Sequence, residues 1–470
     1  MVFLVYHQPM TKHASKHKSR HKYFFDYAAG TPVDERVLRK MLPYFVEQFG
    51  NPSSLHGAGR EAARAVMKAD ADVAGVLNCR PDEFVFTGSA TEADNLAILG
   101  GARNFDPLPK LRGLGQRIPN DTTSTRGRII ISQIEHKGIL AACEHLKKEG
   151  FEIVKLPVLK NGLIDLNVLK KELNEKTILV SVTAADSETG TMQPIAEIAK
   201  IIKKFREKNV GIGTPYFHTD ASQAATHIDL DVQKLGVDMM TLSSHKIGGP
   251  KGVGGLFVRR GTKIEPIIFG GGSGLRSGTE NVPGIVGFAE SLRLTKSRGH
   301  LVSTRIKKLR DTLERGIFKT IPKVVLNGHP QKRLPNFLNI SILDVEGEAM
   351  LLMLDELGIM VSTGSACNSQ SLEPSSVLTA LGNPYEFVHG SLRFTLGRGN
   401  TMADVKYVLK HLPEVVKKLR AMSPLDLSLD QKAATSAPTA FVGGQTPHFL
   451  IKKQPLKASS GRSHTTTARF

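Results

Sequence analysis

The chain has 470 residues, 40% hydrophobic and 23% charged, a balance that suits a soluble globular protein with a large buried core and roughly two to three domains. No apolar run approaches the ~20 residues that cross a bilayer, and the opening MVFLVYHQPM is too short and poorly flanked for a secretory signal. The net charge is +19, but the termini at 1–25 and 431–470 supply 11 of it, so the 405 residues between carry only +8. Solvated basic tails explain that distribution better than a nucleic-acid-binding face, and contact of the tails with RNA is the lesser reading.

Residues 1–24, rich in Lys and His, read as a disordered basic tail. From Phe25 to Ile285 seven β-rich runs follow in order: EFVFTG (83–88), RIIIS (128–132), FEIVKLPV (151–158), TILVSVTAA (177–185), YFHTD (216–220), MMTLSS (239–244) and VGGLFV (253–258). Helical patterns such as GREAARAVMKADADVAGVL and PIAEIAKIIKKFREK separate several of them. This alternation predicts an α/β domain over 25–285, with a mainly parallel seven-stranded sheet covered on both faces. Ligands of such sheets bind beyond the carboxyl ends of strands. Residues 103–127, with Pro, Gly, Asn, Thr and Arg, read as a surface insertion. The texture of 286–424 predicts a smaller α+β domain, and 425–470 a second disordered tail. The three cysteines, Cys79, Cys143 and Cys367, lack CxxC spacing, which fits a reducing compartment and argues against a disulfide framework or zinc site; no metal is expected.

Five segments carry chemistry. In SSHKIGGPKG (243–252) Lys246 lies just past a buried strand, where an amine with a fixed stem can form a Schiff base; a solvated loop lysine is the plain alternative. In HTDASQA (218–224) Asp220 closes a strand, placed to keep a pyridinium nitrogen protonated or merely to cap a helix. TGSATEADN (87–95) joins strand to helix with small residues, as a phosphate cradle or an ordinary N-cap. Cys367, in VSTGSACNSQSLEPS (361–375), sits among small polar residues rather than on an apolar helical face, which suits a reactive thiol. In SLRFTLGR (391–398) alternation sets Arg393 opposite Leu392 and Phe394, able to clamp a carboxylate or to form an ion pair.

Together these segments resemble the cysteine desulfurases of the class V aminotransferase family (the NifS/IscS type), and they fall in that family's order. FDYAAGTPVD (25–34), FGNPSSLHGAGRE (49–61), IEHKGIL (134–140), RSGTENVPGIVG (276–287) and LRAMSP (419–424) extend the resemblance over roughly residues 25–424. It implies a fold-type I transferase dependent on pyridoxal 5′-phosphate, with residues 25–34 packing against the small domain. By similarity Lys246 holds the cofactor, Asp220 pairs with its ring nitrogen, Gln223 bonds its phenolic oxygen and His136 stacks on the ring. Thr91, Ser243 and His245, with the backbone near Ala90, are implied to hold the phosphate. Thr279 resembles a residue that reaches the phosphate of a partner subunit, which implies a homodimer. Arg393 is implied to bind the carboxylate of L-cysteine, and Cys367 to accept its sulfur as a persulfide.

Further implications are a cytoplasmic setting and a sulfur-acceptor or iron–sulfur scaffold protein, serving iron–sulfur cluster assembly or tRNA thiolation. Asp186-Ser187-Glu188 departs from the family's usual Asn-Asn-Glu, so Ser187 is expected to reach the cofactor less well and Asp186 to add negative charge nearby. Gly248 and Gly30 replace a common aromatic and a common Thr. Selenocysteine lyase is the rival reading, and a non-catalytic scaffold on the same fold is the reading from another class.

Overall fold

The computed structural model describes residues 23–105, 126–209, 213–271, 274–363 and 374–423. The seven runs form β2 (Phe84–Thr87), β3 (Arg128–Ser132), β4 (Glu152–Leu156), β5 (Thr177–Ser181), β6 (Tyr216–Asp220), β7 (Met239–Ser243) and β8 (Gly254–Val258); the two-residue β1 is Tyr23–Phe24. They make one sheet in the order β2-β8-β7-β6-β5-β3-β4. The pairs from β4 to β7 are parallel, and β8 runs antiparallel to both of its neighbours.

Successive side chains of these strands enter opposite cores, as the period of two requires. Ile129 and Ile131 face the layer that holds the helix Lys137–Lys148 and the helical stretch starting at Ala90. Ile130 faces the layer built by the helices Gly57–Leu77 and Ile195–Lys208. Both faces are therefore covered, which is why these strands read as unbroken apolar runs. Each fully buried isoleucine contributes about 1.5–3 kcal/mol of transfer free energy. Cys143 shares one helical face with Ile139, Ala142 and Leu146, all buried, so it is a packing residue.

A second core surrounds a three-stranded antiparallel sheet. It orders β12 (Ser391–Thr395), β10 (Phe337–Ile342) and β9 (Val324–Leu326), and β11 (Ile359–Met360) pairs in parallel with β1. Phe25, next to β1, is fully buried in this second core. The long helix Val282–Thr320 serves both: Ile285, Phe288 and Leu292 pack in the first, and Ile306, Leu309, Leu313 and Ile317 in the second. Among the described residues no helix is long and apolar enough to cross a membrane.

Candidate active site

The site begins where β6 and β7 end. β7 is buried along its length and breaks into the single turn Ser244–Lys246, so the backbone beneath Lys246 is anchored in the sheet. Nζ of Lys246 donates to the carbonyl of Ala28, and Nε2 of Gln223 donates to the same oxygen at 3.1 Å. The strip Ala28–Asp34 is thereby laid over the lysine turn. Thr31 reinforces it: its hydroxyl donates to the His245 carbonyl at 2.8 Å and accepts from the Gly248 amide at 2.8 Å. Gly248 has φ +83°, a conformation that side chains rarely adopt, so glycine suits this turn where an aromatic is common in the family.

Asp220 closes β6 and accepts from the Ser222 amide at 2.8 Å. Beneath it lies a buried polar layer. His218 Nδ1 meets the Ser181 hydroxyl at 2.9 Å and its Nε2 meets the Thr241 hydroxyl at 3.0 Å. Burial pushes the His218 pKa down to about 4, so the ring is neutral at physiological pH. Asp94 and Glu135 are also enclosed; burial first, and the charge of Asp220 in addition, raise both well above the usual carboxylate range.

Across the sheet end, Ser89 caps the helix that starts at Ala90, its hydroxyl accepting from the Glu92 amide at 3.1 Å. That stretch runs Ala90–Asn95, Leu96–Gly100 as a π turn and Gly101–Arg103. A side chain on Gly254 would put its Cβ 2.6 Å from the Ser89 carbonyl carbon and 2.7 Å from the Ala90 nitrogen. Only glycine lets β8 lie this close to the first-turn amides, which lack helical acceptors. His136 caps the next helix, its Nδ1 accepting from the Gly138 amide at 3.1 Å. A Cβ on Gly138 would stand 3.2 Å from Thr91 Cγ2 and 3.3 Å from His136 Nδ1, so these two groups share one corner. The Ser243 hydroxyl lies 3.1 Å from Nδ1 of His245, whose pKa burial pushes down to about 4.

The second core supplies Arg393 on β12. Its Nη1 donates to the Ser187 carbonyl at 2.8 Å and its Nη2 to Asp26 at 2.8 Å, while the buried Nε has no partner among the described residues. Ser187 therefore acts through its backbone. Asp186 turns into its own loop and accepts from the amides of Glu188 at 2.9 Å, Thr189 at 2.7 Å and Thr191 at 3.0 Å. Burial raises its pKa, and these hydrogen bonds oppose that rise while holding the carboxyl in the loop. Glu188 accepts from the Ser375 hydroxyl, and burial raises its pKa to about 7.

Thr279 is exposed, and no hydrogen bond or ion pair joins it to Ser243, His245 or Thr91 of its own chain. Cys367 lies outside the described residues. The chain leads toward it from Ser362, whose amide and carbonyl pair with Arg393 at 3.2 and 2.7 Å.

The class-V aminotransferase family pattern matches residues 23–111 and 114–408. The chain belongs to that family. Among the relatives of this family member, cysteine desulfurase IscS 1 of Archaeoglobus fulgidus is 44% identical over 405 residues, covering 86% of this chain and 99% of that protein. A solved NifS-like protein is 35% identical with a TM-score of 0.75, covering 84% of this chain and 100% of the other. A structure of SspA in complex with cysteine is 32% identical with a TM-score of 0.67, covering 81% of this chain and 100% of that one.

Several residues that shape this class-V site escape a motif reading. Asp26 and the Ala28 carbonyl lie inside FDYAAGTPVD, yet their partners are distant in sequence: Asp26 and Arg393 are 367 positions apart. Asp94, Glu135 and His218 fall inside the segments TGSATEADN, IEHKGIL and HTDASQA, yet none of the roles implied for those segments belongs to them. The one available signal is the presence of ionisable residues within otherwise buried runs, which points to a functional layer.

Proposed function

We propose that this chain is a pyridoxal-phosphate-dependent cysteine desulfurase that converts L-cysteine to L-alanine and passes the sulfur to Cys367. The observation that carries the reading is Arg393: two of its nitrogens are tethered and its buried Nε lacks an acceptor, beside a loop that leads toward Cys367. A substrate carboxylate supplies that acceptor.

The residues present fit the cofactor. Lys246 would hold it, Asp220 would face its ring nitrogen, Gln223 its phenolic oxygen and His136 its ring. The glycine-backed amides of Ala90 and Thr91, with Ser243 and His245, would hold its phosphate, joined by Thr279 of a second copy. When bound, the cofactor supplies an electron sink for the substrate's α carbon. Arg393 fixes the substrate carboxylate. The Lys246 amine takes the α proton and returns one as alanine forms. The Cys367 thiolate attacks the substrate sulfur; a sulfur–sulfur bond forms as the carbon–sulfur bond breaks, leaving alanine and a persulfide. Cys79 and Cys143 do not suit that step, because burial pushes each thiol up to about 12.

A homodimer completes the reading. Val46 and Phe49 are each 75% exposed, Leu55 91% and Phe269 82%, apolar side chains that a partner subunit could cover. The recipient is a sulfur-acceptor or iron–sulfur scaffold protein, for cluster assembly or tRNA thiolation, in the reducing cytoplasm. The test is one turnover with L-cysteine, and separately with L-selenocysteine, followed by mass mapping. A reducible persulfide on Cys367 alone is expected, with Cys367→Ala retaining the cofactor but releasing no sulfide. Persulfide on Cys79 or Cys143 would overturn the mechanism, and turnover confined to L-selenocysteine would make the enzyme a selenocysteine lyase.

A further inference from the structure

A cavity of about 370 Å³ lies away from this site, between the long helix and the loop that leads into β10. Its charged lining is Lys307, Arg310, Asp311, Glu314, Arg315 and Arg333, four cations against two anions. Arg333 is one wall of it. The side chain is only 2% exposed, and Nη2 pairs with Glu314. Its Nε and Nη1 are buried, with no acceptor in reach among the described residues.

Arg310 does not relieve this. It is itself a cation with a 4% exposed side chain, committed through Nε to Asp311 at 2.7 Å and through Nη1 to the carbonyl of Phe337 at 3.0 Å. Two buried guanidiniums therefore share a cavity whose carboxylates do not balance the charge. Leaving donors of a charged group unpaired is costly, and an anion in the cavity removes that cost.

The backbone of Arg333 is fixed in advance. Thr191 forms a β-bridge with it, the Met192 amide donates to the Lys332 carbonyl at 2.9 Å, and the Leu334 amide donates to the Gly190 carbonyl at 2.9 Å. A pinned arginine loses little freedom when it binds, which favours a specific site over diffuse attraction.

We propose that this cavity is a binding site for a small oxyanion of the phosphate class, held by Nε and Nη1 of Arg333 with Arg315 and Lys307 at the rim. Its two excess positive charges match a dianion. The size admits either free phosphate or the phosphate end of a small monoester.

The test uses the full chain saturated with pyridoxal phosphate, so that the cofactor's own phosphate seat is filled. Inorganic phosphate is titrated at constant ionic strength, balanced with chloride, and followed by calorimetry and phosphorus NMR. Saturable binding is expected. Arg333→Gln should abolish it, and Arg315→Gln should weaken it about tenfold. Arg315 is exposed and donates only a long hydrogen bond to the Thr312 hydroxyl, 3.4 Å, among the described residues, so its loss should leave the fold intact even if Arg333→Gln does not. Tighter binding of glycerol phosphate would support a monoester ligand, and equal or weaker binding would support the free anion. Absence of saturable binding, or unchanged affinity in Arg315→Gln, would overturn the proposal.

Discussion

The two sides of the cleft are built differently. On the sheet side, Asp220 and Lys246 stand at the ends of buried strands, above hydrogen bonds joining Ser181, His218 and Thr241. On the small-domain side, Arg393 is aimed by groups from elsewhere in the chain, the Ser187 carbonyl and Asp26. The first side is positioned by its own core, and the second by a seam between two cores. Changes under the sheet should therefore act on chemistry, whereas changes along the seam should act on substrate binding and on the joining of the two halves.

The sharpest test of the sheet side is Lys246→Ala. Removal of a general acid–base group should lower the rate of alanine formation by about 10²–10⁴-fold, measured under substrate saturation. A loss under tenfold would place the proton transfers on another residue.

The seam should reveal itself through pH. The Glu188 pKa is raised from 4.5 to about 7, so the folded state keeps a proton that the unfolded chain releases. Its contribution to stability is fully present below about pH 4.5 and falls as pH rises toward 7, by up to about 3 kcal/mol. Glu188→Gln should remove that fall, so its melting temperature should gain on the parent between pH 5 and pH 8. Parallel melting curves across this range would show that Glu188 titrates normally.

Arg393→Gln should raise KM for L-cysteine by about 10- to 100-fold, from the loss of a charged hydrogen-bonding partner. Steady-state kinetics with the cofactor saturating would check it, and an unchanged KM would break the assignment of the seam to substrate binding. The smallest effect is expected at Ser187. Because its carbonyl rather than its side chain holds Arg393, Ser187→Asn should alter cofactor retention or turnover by less than about tenfold, as dialysis and absorbance would report.

The contrast also explains what could be read in the sequence. The strands of the large sheet were legible because a parallel sheet buried on both faces demands runs such as RIIIS and MMTLS. Lys246 and Asp220 were visible because they end such runs. The network around Arg393 was not, since it pairs a strand near the C-terminus with Asp26 near the N-terminus and with a backbone carbonyl, which carries no side-chain signature. The fate of Asp186 was hidden for a related reason. Whether its charge faces the cleft or its own loop depends on turn geometry rather than residue type. Gly248 likewise reads as a lost aromatic until its positive φ is known.

The helix Val282–Thr320 gives the molecule a mechanical property. Its 39 residues span about 58 Å of axis, and its two ends are embedded in different cores. Neither core can come apart without pulling a partner face from the same rod. Heat should therefore melt both in one cooperative transition rather than in two steps, and damage in either half should be felt as a lowered melting point of the whole.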